Sequence, residues 1–490
     1  MLHDWFGGSV RRYPTATALV VAGQELTYAE LDDLSLSVKH DLLAAGAARP
    51  RVGLLATRSA LAYAAYLAVL RAGGVVVPLD AAHPAPRLAS IARAAGLDFV
   101  IADQGQDTAF ADGGPARLPA AGTSQPSTQG TGREAEPDWP GSPADGAYLL
   151  FTSGSTGRPK GVPISHGNLD DFLRFNIGRY QVGPGCRLSQ TFHLTFDPSV
   201  FDMFVAWGSG ATLVVPSVDD LYDPAAFVNQ QAITHWYSVP SLIAIAADAG
   251  TLRPGSMPSL RWSLFCGEQF PLAHARSWAD AAPGSVIENL YGPTELTVTV
   301  AAYRLPGDRA RWPATVNGTV PIGQVYPHLE HRVSEDGELL VRGSQRFAGY
   351  HDPADDAGRF AGRARDPAAW YRTGDRVALH DGALVHLGRV DRQIKFRGHR
   401  IELSEIEGAL RTWAGVEDAV VFPVARAGTT ELAAVCAGQA SPTLPELRAR
   451  LRQHLPLHMI PRHVVHVERL PLNDRGKVDR HACSALLEPS

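Results

Sequence analysis

Short apolar segments alternate with amphipathic helical segments near the start of the chain, and this alternation restricts the fold more than any other feature. Strand-like segments begin at Ala18, Val52 and Gly74, and helical patterns cover 28–45 and 60–71 between them. Units of this kind form βαβ connections on a parallel sheet. A second stretch of the same texture begins at Tyr148. The sequence therefore predicts an α/β fold.

The composition and the predicted secondary structure change three times along the chain. Residues 104–147 are crowded with Gly, Pro, Ser and Thr and predict a long surface loop. In the second half, segments such as Asp336-Gly-Glu-Leu-Leu-Val predict β-hairpins. A charged run at 389–393 then precedes a last αβ segment, with helices predicted at 404–411 and 445–452.

The composition argues against several classes of protein. The 490 residues carry 45 Lys+Arg against 50 Asp+Glu, a formal net charge of −5, so no broadly basic nucleic-acid-binding surface is expected. The four cysteines contain no Cys-x-x-Cys pair, which fits neither a disulfide framework nor a zinc site. The apolar run at 60–70 is shorter than the roughly 20 residues that span a bilayer, and the first residues do not resemble a secretory signal. We expect a cytoplasmic protein that binds neither nucleic acid nor membrane.

One segment rich in glycine and hydroxyl groups carries a chemical signal. Phe151-Thr-Ser-Gly-Ser-Thr-Gly-Arg-Pro-Lys-Gly-Val follows an apolar strand. Glycines let backbone N–H groups approach an anion, hydroxyls donate hydrogen bonds and Lys160 adds a positive charge, so the segment suits an oligophosphate. It is not a Walker A loop, because Pro159 stands where Gly-Lys would follow, and it is not a nucleophile elbow. Taken alone, the segment leaves a flexible surface turn as the alternative.

Six further segments, in a fixed order, support a phosphate-binding function for this loop. They are Leu26-Thr-Tyr-Ala-Glu-Leu, Phe196-Asp-Pro-Ser, Asn289-Leu-Tyr-Gly-Pro-Thr-Glu, Tyr371-Arg-Thr-Gly-Asp, Gly388-Arg-Val-Asp-Arg-Gln-Ile-Lys-Phe-Arg-Gly-His-Arg-Ile-Glu and Gly476-Lys-Val-Asp-Arg. With the loop, they cover nearly the whole chain and resemble the adenylation domains of nonribosomal peptide synthetases, members of the adenylate-forming enzyme superfamily. The resemblance implies ATP-dependent activation of a carboxylic acid to an acyl adenylate, followed by thioester formation on a phosphopantetheine thiol.

The resemblance also implies a domain organisation. The family has a large N-terminal domain, made of α/β subdomains and a distorted β-barrel, and a small mobile C-terminal α+β domain. We place the two domains at 1–390 and 391–490. Asp391 matches the hinge about which the family's small domain rotates between the two half-reactions.

The matched motifs assign residues to ATP and Mg²⁺. Tyr291 would lie against the adenine face, and Asp375 would accept hydrogen bonds from both ribose hydroxyls. Thr294 would donate to the α-phosphate, and Glu295 would hold Mg²⁺, which prefers oxygen ligands. Arg389 would add a ribose or phosphate contact. The residues expected to bind ATP are Thr152, Ser153, Gly154, Ser155, Thr156, Gly157, Lys160, Asn289, Tyr291, Gly292, Thr294, Asp375, Arg389 and Lys477.

Lys477 lies far along the chain from most of the other motifs. The resemblance implies that it bridges the substrate carboxylate and a phosphate or ribose oxygen, and so stabilises charge in the transition state. With Thr294 and Glu295 it forms the expected catalytic set. Arg475 departs from the asparagine that the family often has before Gly-Lys, which concerns the turn rather than the lysine.

Asp197 matches the aspartate that pairs with the substrate's ammonium group in this family. A carboxylate facing a pocket is costly unless it is paired, so its presence favours an amino acid over a fatty or aryl acid. A helix N-cap before Pro198 is the alternative. The residues expected to line the amino-acid pocket are Asp197, Pro198, Phe201, Ser238, Leu264, Cys266, Leu290, Gly292, Val298 and Thr299. This lining suits a small or medium, mainly apolar amino acid, and the bulk of Pro198 and Phe201 raises the hypothesis of a β-amino acid.

Other interpretations share the same scaffold. An acyl- or aryl-CoA ligase is disfavoured by Asp197, whereas a D-alanine–carrier protein ligase also activates a small amino acid. An inactive homologue would be expected to lack Lys477, Glu295 or Asp375, and all three are present. Because the chain ends at Ser490, we expect a separate carrier protein in natural-product biosynthesis.

Overall fold

The computed structural model describes residues 1–46, 48–55, 58–103, 110, 115–118, 137–154, 158–391, 393–396, 398–413, 415–426, 429–438, 443–472 and 478–487. Two compact units account for the described chain. The first comprises Met1–Asp80, Ala92–Leu150 and Gly161–Val390, and the second comprises Ala81–Ile91, Phe151–Lys160 and Asp391–Ser490.

The α-helices follow apolar periodicity and carry recognisable caps. Thr27 and Glu30 form a capping box at the start of one helix, and Thr443 with Glu446 forms another. The helices are α1 (Leu2–Arg12), α2 (Tyr28–Ala44), α3 (Ala60–Arg71), α4 (Ala85–Ala95), α5 (His166–Arg179), α6 (Pro198–Ser209), α7 (Pro224–Gln230), α8 (Ser241–Asp248), α9 (Leu272–Ala281), α10 (Leu403–Arg411), α11 (Leu444–Leu451) and α12 (Arg480–Ala485). The helices expected at 404–411 and 445–452 are confirmed to within one residue at each end.

The strands are short. They are β1 (Thr17–Val21), β2 (Gln24–Thr27), β3 (Arg51–Leu55), β4 (Val75–Pro78), β5 (Phe99–Ala102), β6 (Ala116–Arg117), β7 (Gly146–Thr152), β8 (Lys160–Ser165), β9 (Arg187–Ser189), β10 (Thr212–Val214), β11 (His235–Ser238), β12 (Trp262–Phe265), β13 (Val286–Tyr291), β14 (Ala301–Arg304), β15 (Gln324–Val325), β16 (Leu329–Val333), β17 (Glu338–Gly343), β18 (Phe360–Ala361), β19 (Trp370–His380), β20 (Ala383–Arg389), β21 (Gln393–Phe396), β22 (His399–Glu402), β23 (Asp418–Arg426), β24 (Thr429–Ala437) and β25 (His463–Val467).

Two largely parallel sheets carry most of the first unit. One has the order β15-β14-β13-β12-β11-β9-β10-β1-β2, with parallel pairing from β13 to β1. The other has the order β6-β5-β3-β4-β7-β8. Helix α6 is buried on all sides among apolar residues, as expected of a helix inside a large core. These sheets confirm the α/β prediction, and their strand ends supply the loops in which ligands bind in folds of this kind.

An antiparallel sheet completes the first unit. Strands β16, β17, β19 and β18 pair in this order, and β20 pairs with β19. The hairpin predicted around Asp336 is β16–β17. This sheet is the antiparallel part that the resemblance implied beside the α/β subdomains.

The second unit has its own small sheets and core. Strands β21 and β22 form a hairpin, and β23, β24 and β25 form a three-stranded sheet packed against α10 and α11. One apolar cluster includes Ile406, Val421, Leu447 and Met459. The apolar face of α10 therefore packs into the core of the second unit.

The loop predicted at 104–147 is only partly described, and it needs one correction. Its last residues, Gly146 and Ala147, belong to β7. Before them, Asp138 accepts hydrogen bonds from Lys39 at 2.9 Å and from Arg71 at 3.0 Å. Residues 137–138 are thus held against α2 and α3 by buried cations, an arrangement that loop composition could not indicate.

Candidate active site

The predicted phosphate loop connects β7 to β8 in the sequence. Thr152 ends β7, and Lys160 begins β8 and is buried. The buried Ser153 donates from Oγ to the carbonyl oxygen of Arg400 at 2.5 Å. A Cβ on Gly154 would lie 2.1 Å from the carbonyl oxygen of Arg158, so only glycine fits there. Ser155, Thr156 and Gly157 lie outside the described residues.

A second group of predicted ATP residues lies at the end of β13. Asn289 donates from Nδ2 to the carbonyls of Val320 at 3.1 Å and Pro321 at 2.9 Å. Its buried Oδ1 accepts no hydrogen bond from any described residue. A Cβ on Gly292 would lie 2.6 Å from Thr299 Cα, so glycine is required at this close approach. Asn289, two residues before the end of β13, thus has a buried acceptor that no described donor uses.

Tyr291, Asp375 and Arg389 meet around one buried carboxylate. Tyr291 Oη donates to Asp375 Oδ2 at 2.6 Å, although the two residues are 84 positions apart. Asp375 Oδ1 accepts from Arg389 Nη1 at 2.9 Å and interacts with His386 Nε2 at 3.0 Å. Burial, followed by the Asp375 charge, raises the pKa of Tyr291 well above its usual value, so the phenol stays protonated and remains a donor.

His386 is a residue of this group that the sequence analysis did not identify. It lies on β20, the hairpin partner of β19, and its ring centroid is 6.2 Å from that of Tyr291. Asp375 and Arg389 are directly opposite each other in the β19–β20 register. Predicting this hairpin in detail would have placed His386 near Asp375.

Glu295 is a fully buried carboxylate in the turn after β13. It lies in a 3₁₀ turn with Thr294, and its Oε1 accepts from Tyr350 Oη at 2.6 Å. The described residues contain no group of three or more His, Cys, Asp or Glu side chains able to hold a metal ion. One carboxylate still suits Mg²⁺ in a nucleotide site, since Mg²⁺ is usually bound by one or two carboxylates together with substrate phosphates and water.

Asp197 precedes α6, but it does not cap the helix through its side chain. Its Oδ2 instead accepts a hydrogen bond from the backbone N–H of Val298 at 3.1 Å. Thr297 and Val298 both have positive φ, 59° and 68°, a costly conformation for β-branched residues that presents this N–H to the carboxylate. Asp197 thus occupies the N-cap position that the sequence offered as an alternative, but its carboxylate makes no capping hydrogen bond and binds the Val298 N–H instead.

The electrostatic environment of Asp197 is that of a buried acid. Burial first, and the charge of Glu295 second, raise the pKa of Asp197 to about 6, against the lowering effects of the Val298 N–H and the Thr294 hydroxyl. No ammonium or guanidinium group of the described residues pairs with it. The site therefore contains a carboxylate that a cationic ligand would stabilise.

Several predicted pocket residues lie in one apolar cluster, and most of these are fully buried. The cluster contains Phe201, Leu264, Cys266, Leu290 and Val298. Pro198 is buried at the first position of α6. Thr299 is also buried, and its Oγ1 lies 2.8 Å from Tyr326 Oη.

Ser238 does not join this cluster, and Tyr237 takes its place. Ser238 Oγ accepts from Trp236 Nε1 at 2.9 Å, and Trp236 packs in a different apolar cluster. Tyr237 Oη donates to Cys266 Sγ at 2.9 Å, and its ring centroid is 4.9 Å from that of Phe201. The structure therefore places the side chain of Tyr237, rather than that of Ser238, against the predicted pocket residues Phe201 and Cys266. Because Tyr237 pairs in register with Leu264, strand alternation places them on the same face.

A second buried acid escaped the sequence analysis. Asp202 is 1% exposed, and its Oδ2 has no hydrogen-bond partner among the described residues. Burial raises the pKa of Asp202 well above its usual value, which favours the protonated form of this carboxyl. Asp202 lines a small cavity together with Tyr237 and with Phe201 and Leu264, two of the predicted pocket residues.

The predicted hinge and the predicted catalytic lysine belong to the second unit. Asp391 Oδ1 accepts from the Gln393 N–H at 3.2 Å. Lys477 lies outside the described residues. On either side of it, Leu472 and Val478 form an isolated antiparallel bridge, and Asp479 donates its N–H to Pro471 O at 2.7 Å. These contacts bring the ends of the segment containing Lys477 together.

Comparison with known proteins gives consistent matches. A family model described as AMP-binding enzyme matches residues 6–351, and one described as AMP-binding enzyme C-terminal domain matches 405–477. An L-proline–[L-prolyl-carrier protein] ligase of Pseudomonas fluorescens is 34% identical to this chain. The match covers 100% of this chain and 99% of the relative.

Two further matches extend this comparison. The phosphinothricin tripeptide synthetase PhsC of Streptomyces viridochromogenes is 34% identical over 98% of this chain, which spans 45% of that protein. The crystal structure of the Vibrio cholerae adenylation domain AlmE, in complex with glycyl-adenosine-5′-phosphate, has a TM-score of 0.84 at 26% identity and covers 99% of this chain and 98% of its own.

The two parallel sheets, the antiparallel sheet and the small C-terminal sheets, with the residues gathered at the end of β13, define an adenylate-forming enzyme. The chain belongs to the AMP-binding enzyme family. Within that family it is a ligase of the adenylation-domain class. None of the helices in the described ranges is long and apolar enough to cross a membrane.

Proposed function

We propose that this protein activates an amino acid with ATP and loads it onto a separate carrier protein. A carboxylate oxygen of the amino acid attacks the α-phosphorus of ATP, the bond to the β-phosphate oxygen breaks, and pyrophosphate leaves. The thiol of a phosphopantetheine group then attacks the acyl carbon, losing its proton, and AMP leaves with the C–O bond electrons. The observation that carries the proposal is the buried Asp197 carboxylate, which no cation of the described residues neutralises.

The roles of the nucleotide residues follow from their geometry. Asp375 offers two acceptor oxygens for the ribose hydroxyls, and Arg389 donates to that carboxylate at 2.9 Å. Tyr291 offers a buried aromatic ring for adenine, and Asn289 Oδ1 is a buried acceptor for an amino group. When bound, Mg²⁺ would be held by Glu295 and would partly neutralise the triphosphate.

The amino acid itself is proposed to be small or medium and mainly apolar. The close packing of Phe201 against Tyr237 leaves little room for a long side chain, and burial raises the pKa of the nearby Asp202 carboxyl. A β-amino acid is the second candidate, because the bulk of Pro198 and Phe201 beside Asp197 would displace an α-ammonium group. The name of the Pseudomonas fluorescens relative supports both an amino acid and a carrier protein as partners.

The second half-reaction is proposed to involve the C-terminal domain. We assign 1–390 to the nucleotide- and amino-acid-binding domain and 391–490 to the small domain, with Asp391 at the hinge and Lys477 as the transition-state cation. The four cysteines are buried and none of them is in a disulfide among the described residues, which supports a reducing cytoplasmic location.

Amino-acid-dependent ATP–pyrophosphate exchange tests the proposal across a panel of α- and β-amino acids and the matching acids without an amine. We expect exchange with one amino acid or a few related ones. Lys477→Ala should lower the exchange rate by roughly 10²- to 10³-fold. Arg452→Ala, which removes an exposed cation from the same domain, serves as the matched control. Exchange only with acids that lack an amine would overturn the amino-acid assignment.

A further inference from the structure

Asp375 lies in β19 at a point where the antiparallel pairing of β17 with β19 is interrupted. Glu338 on β17 is paired with Arg376 on β19, and Leu340 is paired with Arg372. Leu339 alone therefore faces Thr373, Gly374 and Asp375 together. Such a bulge interrupts the backbone ladder and redirects the side chains that it carries. Gly374, at a φ of 73°, adopts the left-handed conformation that this break requires.

The backbone groups freed by the bulge are bound by two buried side chains. Glu338 Oε1 accepts the Gly374 N–H at 3.0 Å. Thr373 Oγ1 accepts the Asp375 N–H at 3.1 Å and donates to the carbonyl oxygen of Leu339 at 2.7 Å. Glu338 is 3% exposed and Thr373 is 0% exposed. Both hydrogen bonds thus lie in the core, where losing an acceptor leaves an unsatisfied N–H.

Glu338 has a second partner, but that partner lies nearer the surface. Its Oε2 accepts from Arg372 Nη2 at 2.6 Å, and the Arg372 side chain is 43% exposed. An ion pair with a partner this exposed contributes little to stability. The main contribution of Glu338 is therefore its hydrogen bond to the Gly374 N–H. The carbonyl oxygen of Gly374 accepts the Val390 N–H at 2.8 Å, so Gly374 is held on both sides.

We propose that Glu338 is a positioning residue for the nucleotide site, acting through the Gly374 peptide to aim the Asp375 carboxylate. Both Asp375 oxygens are in use, one toward Tyr291 and one toward Arg389 and His386. A carboxylate that must reach two adjacent hydroxyls at once tolerates little rotation of its backbone. The inference rests on the proposed function, since it assumes that Asp375 binds the ribose of ATP.

The test compares the KM for ATP, the KM for the amino acid, and the preference in kcat/KM for ATP over 2′-deoxy-ATP. Glu338→Ala should raise the ATP KM by about 10-fold and lower the preference for ATP at least about 5-fold, the scale of one lost buried hydrogen bond to a charged group. The amino-acid KM should stay within about 2-fold, because the pocket around Asp197 does not use this bulge.

Three variants separate positioning from general stability. Arg372→Gln removes the ion pair but leaves the Glu338–Gly374 hydrogen bond, so the ATP KM should stay within about 3-fold of the wild type. Glu338→Gln keeps a neutral acceptor for the Gly374 N–H, so its ATP KM should also stay within about 3-fold of the wild type. Thr373→Val removes the acceptor of the Asp375 N–H at nearly constant volume and should reproduce the loss of ribose discrimination, even if Glu338→Ala does not fold.

Two results would overturn the inference. One is a lower unfolding temperature for Glu338→Ala and Thr373→Val with unchanged ATP KM and unchanged preference over 2′-deoxy-ATP. The other is an equal effect of Arg372→Gln, which would assign the role to the ion pair. Absence of exchange in the wild type would instead count against the proposed function, so the two failures are distinguishable.

Discussion

Replacing Asp197 with asparagine isolates the charge that is proposed to bind the substrate's ammonium group. Asparagine keeps the shape and can still accept the Val298 N–H, which lies 3.1 Å from Oδ2, so the fold should persist. Leaving one member of a buried ion pair without its partner costs about 3–5 kcal/mol. At about 1.4 kcal/mol for each factor of ten, we expect kcat/KM for the amino acid to fall by roughly 10²- to 4 × 10³-fold.

The assay is ATP–pyrophosphate exchange at varied amino acid and at varied ATP. The ATP KM should change by less than about 3-fold, because the nucleotide contacts are made by other side chains. The wild type should reject the matching acid without an amine, and the asparagine variant should lose most of this discrimination. A variant that keeps kcat/KM within about 5-fold of the wild type would refute the assignment of Asp197 to the ammonium group.

The same carboxylate predicts a pH dependence. The raised pKa of Asp197, about 6, means that the free enzyme holds a proton there until the pH rises above that value. Because only the ionised form pairs with an ammonium group, the amino-acid KM should rise about tenfold for each pH unit below 6. A wild-type KM that is flat between pH 5 and pH 8, measured with a folded enzyme, would contradict this reasoning.

Three further predictions concern selectivity and stability. Tyr237→Leu should change the order of preferred amino acids in the exchange panel, whereas Ser238→Ala should leave that order unchanged and lower only the unfolding temperature; a reversed pattern would show that the wrong face was chosen. Asp202 has a raised pKa in the folded state, so the stability that it contributes falls as the pH rises above about 4. The midpoint of thermal unfolding should therefore depend less on pH between 5 and 8 in Asp202→Asn than in the wild type, and equal slopes would contradict burial of a neutral acid. Asp138→Ala should lower the free energy of unfolding by about 2 kcal/mol in urea titrations, since it leaves two buried cations short of an acceptor; an unchanged midpoint would show that the network adds no stability.

The sequence by itself determined the class of fold and the identity of many candidate residues. Helices such as α2 and α3 were predicted closely because apolar periodicity and caps are local properties of the chain. The ordered motifs pointed to an adenylate-forming enzyme because each motif is a short, local segment that can be read from the sequence. Glycines such as Gly154 and Gly292 stand out in these motifs, and the structure then shows that a Cβ at either position would clash with backbone.

Only the tertiary structure decided which side chains meet. Tyr291 and Asp375 are far apart in the chain, and neither motif shows that the phenol donates to the carboxylate. Neighbouring residues of a strand point to opposite faces of the sheet, so Ser238 contacts Trp236 while Tyr237 contacts Cys266, a difference that a motif anchor alone does not show. Glu338 could not be identified from its own segment, because its function depends on a bulge in a neighbouring strand. Local pattern fixes what each segment can be, whereas long-range packing and strand register fix what each side chain touches.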